Sequence, residues 1–148
     1  MLKGISPIIS PDLLFALARM GHGDELILAD AHFPGETIAK ANGAVLVRAD
    51  GLDASQLMDA ILDVFELDSY EGAPMITMEA NSGDVLDPDV EASYKAIAKK
   101  NGYGWAEMTR LDRFDFYDRA KKAFLIVQTG ETRKYGNIIL RKGVTPTE

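Results

Sequence analysis

Short apolar runs alternate along this chain with segments whose apolar residues recur at helical spacing. Leu26 to Ala29, Val45-Leu46-Val47, Met75 to Met78, Phe124 to Gln128 and Ile138 to Leu140 are too short for helices and rich in aliphatic side chains. That is the pattern of strands buried on both faces. Between them, Leu13, Leu14, Leu17 and Ala18, and later Leu57, Ala60, Ile61, Val64 and Phe65, fall on helical faces. Local signals mark where helices open. Ser10-Pro11-Asp12 offers a capping hydroxyl, a proline at the first helical position and an acid in the first turn. Asp53-Ala54-Ser55-Gln56 has capping-box spacing, and Asp87-Pro88-Asp89 opens a helix that runs to near Gly102. Gly21 is expected to stop the first helix. Phe33 to Gly43 reads as a loop or short helix, Trp105 to Thr109 as a further strand candidate, and Asp112 to Lys122 as a helix. In that last helix Phe114, Phe116 and Tyr117 do not share one buried face. The alternation predicts an α/β fold, with a mainly parallel central sheet flanked by helices. No repeat, low-complexity segment or linker divides the chain, so residues 1–148 are expected to form a single domain.

Several functional classes are disfavoured by composition. Of 148 residues, 47% are apolar and 26% charged, a globular balance. The formal net charge is −7 and no run of Lys or Arg exceeds two, so nucleic acid, which needs a basic footprint, is not an expected partner. There is no cysteine, hence no disulfide, thiolate metal site or cysteine nucleophile. The first residues lack the apolar core and cleavage site of a leader, and no apolar run approaches the ~18 residues of a membrane span. The expectation is a soluble, cytoplasmic protein with no membrane partner.

Both histidines lie between Met20 and Pro34. His22 sits between Gly21 and Gly23 at one end of a strand-like run; Asp30 and His32 follow its other end. Histidine gives and takes a proton near neutral pH, which suggests a proton-transfer site on loops; a surface histidine in a glycine-rich helix cap is the competing reading. The two histidines plus one acid match no metal-ligand spacing. Arg113-Phe114-Asp115-Phe116-Tyr117 is either a helix packing aromatics into the core or a sugar platform, since sugar faces lie on aromatic rings and a guanidinium donates paired hydrogen bonds. Tyr135-Gly136-Asn137 is a turn before a strand, or a close backbone approach to a ligand beside a side chain with donors and an acceptor. No GxGxxG, P-loop or GxSxG pattern is present, so a nucleotide cofactor has no support.

Taken together, Ile5-Ser6-Pro7, Met20-Gly21-His22-Gly23-Asp24, Asp30-Ala31-His32-Phe33-Pro34, Arg48-Ala49-Asp50-Gly51, Phe65-Glu66-Leu67-Asp68, Arg113-Phe114, Tyr117, Phe124, Thr129-Gly130-Glu131 and Tyr135-Gly136-Asn137 resemble, in order, segments of the sugar mutarotase family that joins L-fucose mutarotases and D-ribose pyranases. The resemblance runs from Ile5 to Pro146. It implies a ring-opening enzyme that needs no metal or nucleotide cofactor and acts on a free monosaccharide. His22 matches the family's proton donor, Asp30 a substrate-binding acid, and Tyr135, Gly136 and Asn137 the C-terminal substrate-binding segment. Arg113 stands where fucose-type members carry Arg and ribose-type members His, so with the Phe116-Tyr117 pair it favours the fucose branch. Tyr117 is a candidate second polar contact. Gly35 to Ala44 departs from the fucose type and is longer. The family also implies a homo-oligomer, a ring-shaped decamer with sites close to subunit contacts.

The residue chemistry agrees. Exchange of anomers needs a proton delivered to the ring oxygen and one removed from the anomeric hydroxyl, work for a group with a pKa near the working pH. Asp30 and Arg113 would hold hydroxyls and fix orientation. Two other classes remain: a non-catalytic sugar-binding accessory protein for monosaccharide uptake, and a carrier phosphorylated on His22.

Overall fold

The apolar runs assemble into one six-stranded sheet. In the computed structural model, which describes residues 1–147, the elements follow in the order α1 (Pro11–Arg19), β1 (Glu25–Ala29), α2 (Gly35–Asn42), β2 (Val45–Ala49), α3 (Ala54–Leu62), β3 (Met75–Met78), α4 (Pro88–Lys100), β4 (Met108–Leu111), α5 (Arg113–Ala120), β5 (Leu125–Thr129) and β6 (Ile138–Arg141). The strand order is β2-β5-β1-β6-β3-β4. β1, β2 and β5 are mutually parallel where they pair, as are β3 and β4; β6 runs antiparallel between β1 and β3. The expected mainly parallel α/β sheet is present.

Side chains alternate across each strand. Leu26, Leu28, Leu125, Val127, Ile138 and Leu140 therefore face a core shared with Leu13 and Leu17 of α1, Leu57 and Ile61 of α3, and Val90 and Tyr94 of α4. Ile27, Ala29, Ile126 and Ile139 face the opposite core, with Ile38 of α2 and Phe116 and Ala120 of α5. The awkward aromatics of α5 divide accordingly. Phe116 is fully buried, Tyr117 packs at the edge of that core, and Phe114 is 73% exposed.

The helix starts form as their sequences predict. Ser10 Oγ accepts the Leu13 N–H at 3.1 Å, and Asp53 and Gln56 make both bonds of a capping box. The end of α1 differs from expectation. Met20, in an extended conformation, terminates it, and the Gly21 N–H is capped by the Asp24 carboxylate at 2.8 Å. The Phe33–Gly43 segment resolves as a short helix, and β4 starts three residues later than the strand candidate and overlaps its end.

Candidate active site

In open α/β sheets ligands bind beyond the carboxyl ends of the parallel strands. Here β6 inserts antiparallel between β1 and β3, so the segment leading into it arrives where β1 and β3 end. A cavity of about 360 Å³ opens there, lined by Asp30 and His32 after β1, Met78 at the end of β3, Arg113 and Tyr117 of α5, and Tyr135 and Asn137 before β6. That volume sits at the small end of the roughly 300–1,000 Å³ typical of small-molecule sites.

Asp30 is the polar centre of this cavity. Its Oδ1 accepts the His32 N–H at 3.0 Å and its Oδ2 the Gly136 N–H at 3.2 Å. Its own N–H donates to Asn137 Oδ1 at 2.7 Å, and its carbonyl accepts from Gln128 Nε2 at 2.7 Å. Burial pushes the Asp30 carboxyl above the usual carboxylate range; the His32 and Gly136 N–H groups offset this only partly. A Cβ on Gly136 would lie 2.8 Å from Glu131 Cγ and 2.9 Å from the Arg133 carbonyl oxygen. Glycine is thus required for this backbone to reach the carboxylate. With Oδ1 engaged by Asp30, Asn137 keeps its Nδ2 donors for a ligand.

Tyr135 adopts φ 56°, uncommon for a residue with a Cβ. Its hydroxyl donates to Asp84 Oδ2 at 2.9 Å and accepts the Asn81 N–H at 3.1 Å. The loop after β3 is thereby tied to the segment before β6. The Val85 N–H and the Tyr135 hydroxyl hold the Asp84 carboxyl below its ordinary range. On the other wall the Arg113 guanidinium lies over the Tyr117 ring at 5.4 Å, and Phe33 meets Tyr117 edge-on at 5.6 Å between centroids. One wall is thus aromatic and aliphatic, and the other carries directed donors and acceptors.

His22 lies elsewhere. It precedes β1, whereas Asp30 follows it; five strand residues separate their ends by roughly 16 Å. His22 does not line the cavity. Its Nε2 meets Asp68 Oδ1 at 3.1 Å and its ring packs against Tyr70 at 5.1 Å. Burial would raise the Asp68 carboxyl, but the Tyr70 N–H, Arg141 and His22 together hold it below the usual range. Among the candidate residues, the structure brings Asp30, Arg113, Tyr117, Tyr135, Gly136 and Asn137 together and leaves His22 outside. The Gly35–Ala44 segment contributes no residue to the cavity wall. The cavity is also lined by His32, to which the sequence gives no specific role, and by Phe33, Met78, Asn81, Asp84 and Lys134, which sequence reasoning does not single out as site residues. The available signal for Asn81 and Asp84 was their place in the loop after a parallel strand. Asp68 belongs to one of the segments that carry the family resemblance, but nothing local places it beside His22.

Residues 3–145 match the family model described as the RbsD / FucU transport protein family, and the chain belongs to that family. It is 53% identical, over the full length of both chains, to the L-fucose mutarotase of Histophilus somni (strain 2336). Among solved structures it resembles the fucose mutarotase of Streptococcus pneumoniae in complex with L-fucose, at 45% identity and a TM-score of 0.90, covering 98% of this chain and 100% of that one. FucU from Bifidobacterium longum matches at 42% identity and a TM-score of 0.90, covering 97% and 100%. The family read from the sequence motifs is therefore the right one, and the fold is that of these neighbours.

Proposed function

We propose that this protein interconverts the α and β anomers of L-fucose. The observation that carries the reading is the cavity itself: a buried carboxylate and an amide on one wall, facing an aromatic and aliphatic wall that carries the Arg113 guanidinium. That arrangement accompanies 45% identity to a fucose mutarotase solved with L-fucose. A 6-deoxy sugar presents hydroxyls on one side and a methyl group on another, and the two walls suit both. The Asp30 carboxylate and the Arg113 and Asn137 donors would hold hydroxyls, with Tyr117 beneath a sugar face. Tyr135 and Gly136 fix the backbone around them.

The reaction moves one proton in and one out. Protonation of the ring oxygen and loss of the anomeric hydroxyl proton break the C1–O5 bond and give the aldehyde. Rotation about C1–C2 turns the carbonyl face, and the reverse transfers close the ring. His22 is the donor in this reading. Because it stands roughly a strand length from the cavity of its own chain, it would serve the cavity of a neighbouring copy. The exposed Tyr70 beside it supports a contact surface there. The assembly is then a homo-oligomer, a decamer by family resemblance, and related aldoses could share the site.

The family's description as transport proteins favours one second reading, a sugar-binding protein for uptake that leaves exchange at its spontaneous rate. Saturation-transfer NMR on a panel of free aldoses separates the two. Accelerated exchange between the anomers of L-fucose supports the mutarotase; binding of fucose at the spontaneous exchange rate overturns it.

A further inference from the structure

The geometry points to Asp68 as a positioning residue for the His22 imidazole: its carboxylate holds Nε2–H, which makes Nδ1 the nitrogen that carries the transferred proton. This rests on His22 being the donor, whichever cavity the ring serves.

Asp68 is anchored before its side chain is considered. Its N–H donates to the Arg141 carbonyl at 3.0 Å, next to the Leu67–Lys142 bridge. The side chain is 3% exposed, yet the ring it holds is 47% exposed. Oδ2 accepts from Arg141 Nε at 2.9 Å. Oδ1 accepts the Tyr70 N–H at 3.0 Å and meets His22 Nε2 at 3.1 Å. An ionised carboxylate only accepts, so the His22 nitrogen facing it carries a hydrogen. The neutral ring is then the Nε2–H tautomer with a bare lone pair on Nδ1, and the imidazolium carries protons on both nitrogens. A proton given from Nδ1 leaves the tautomer that Asp68 already stabilises. A proton given from Nε2 would leave a lone pair facing a carboxylate. The Tyr70 ring, tilted at 55° and 5.1 Å away, restricts rotation of the imidazole. The Gly23 N–H, donating to the Lys142 carbonyl at 2.8 Å, fixes the turn that carries it, at φ 87° for Gly23. The ring is thus held at one nitrogen and presented at the other.

The test uses the full-length protein labelled with ¹⁵N-histidine, with His22→Gln to identify the His22 signals. Well above neutrality, His22 should show a protonated Nε2 and a bare Nδ1. In Asp68→Asn that preference should weaken, since the amide cannot accept from Arg141, Tyr70 and His22 together. Anomer exchange should fall about 10–100-fold, by analogy with the loss of a carboxylate that orients a metal-bound imidazole. Fucose affinity should stay within several-fold. A residue that only braced Arg141 and the Tyr70 backbone would leave the tautomer unchanged. A parent ring protonated on Nδ1 overturns the proposal, as does a folded Asp68→Asn protein exchanging anomers at the parent rate. If that variant does not fold, the parent spectrum decides alone. Parent exchange in His22→Gln overturns the donor reading instead, and is recognised because the tautomer result does not depend on it.

Discussion

Two buried aspartates, Asp30 and Asp68, are driven in opposite directions by their surroundings. Asp30 is raised by burial that its N–H donors do not fully offset, whereas the donors around Asp68 outweigh its burial. The native state therefore binds fewer protons at Asp68 than the unfolded chain does. The stability this gives is present above the unfolded value and lost as pH falls through the lower folded one. Glu91 and Glu131 are lowered as well, by Arg110 and Arg133 acting against burial, and add to the loss; Asp30 has the opposite sign. The thermal midpoint should thus fall once pH drops below about 4; a flat midpoint there would contradict the assignment. His22→Gln keeps approximate size and hydrogen bonding but cannot shuttle a proton near neutrality. Fucose should bind within several-fold of the parent, while exchange measured by saturation transfer falls by about 10²-fold or more. Arg113 cannot act as an acid near neutral pH, so Arg113→His should alter the ratio of fucose to ribose exchange more than the chemistry. An unchanged ratio would remove Arg113 from the specificity argument.

Helix α3 shows what a sequence reveals at the scale of elements. Its capping box is local, its buried face includes Leu57, Ala60 and Ile61, and both were readable from a few residues. Asp53→Ala removes the side chain that accepts from Gln56 N at 2.8 Å and should cost about 1 kcal/mol in urea unfolding. A change within error would mean that packing alone holds the helix start. β4 was misplaced because it is an edge strand, half exposed along its length, so it lacks the continuous apolar run that marked β1 and β5. α2 was ambiguous because Pro34 starts it without a side-chain cap. The end of α1 was misread for another reason: Asp24 caps the Gly21 N–H, and no left-handed glycine is needed. The site was less legible than the elements. Asp30 and Asn137 meet across 107 positions, and His22 and Asp68 across 46. No periodicity encodes such pairings. Motif resemblance suggested which residues belong to the chemistry, and the sequence already put His22 and Asp30 at opposite ends of one strand; only the fold gathered Arg113, Tyr117, Tyr135 and Asn137 at the Asp30 end.

That separation becomes a statement about the whole molecule. With Asp30, Arg113 and Asn137 at one end of the sheet and His22 at the other, the proposed donor cannot reach the cavity of its own chain. It can reach a cavity in an assembly whose interface joins the His22 end of one copy to the cavity end of the next. Such an interface is heterologous, and closed rings are its natural product. Sedimentation at micromolar concentration should therefore give a species well above the 16.2 kDa of one chain. The sharper test is complementation. His22→Gln has an intact cavity and Asp30→Asn an intact histidine. Each alone should be nearly inactive, because every site in its oligomer lacks one half. Co-expressed in equal amounts, the two should assemble mixed rings in which about a quarter of the sites pair an intact cavity with an intact histidine, if neighbours associate at random across that interface. Exchange should recover to that fraction of the parent rate. If His22 instead acts within its own chain, no mixed site is complete, and the co-expressed protein shows only the mean of the two single variants. Recovery thus requires the histidine to act across a subunit boundary, and its absence in demonstrably mixed oligomers would return the search for the donor to His32 and Asp30 in the cavity itself.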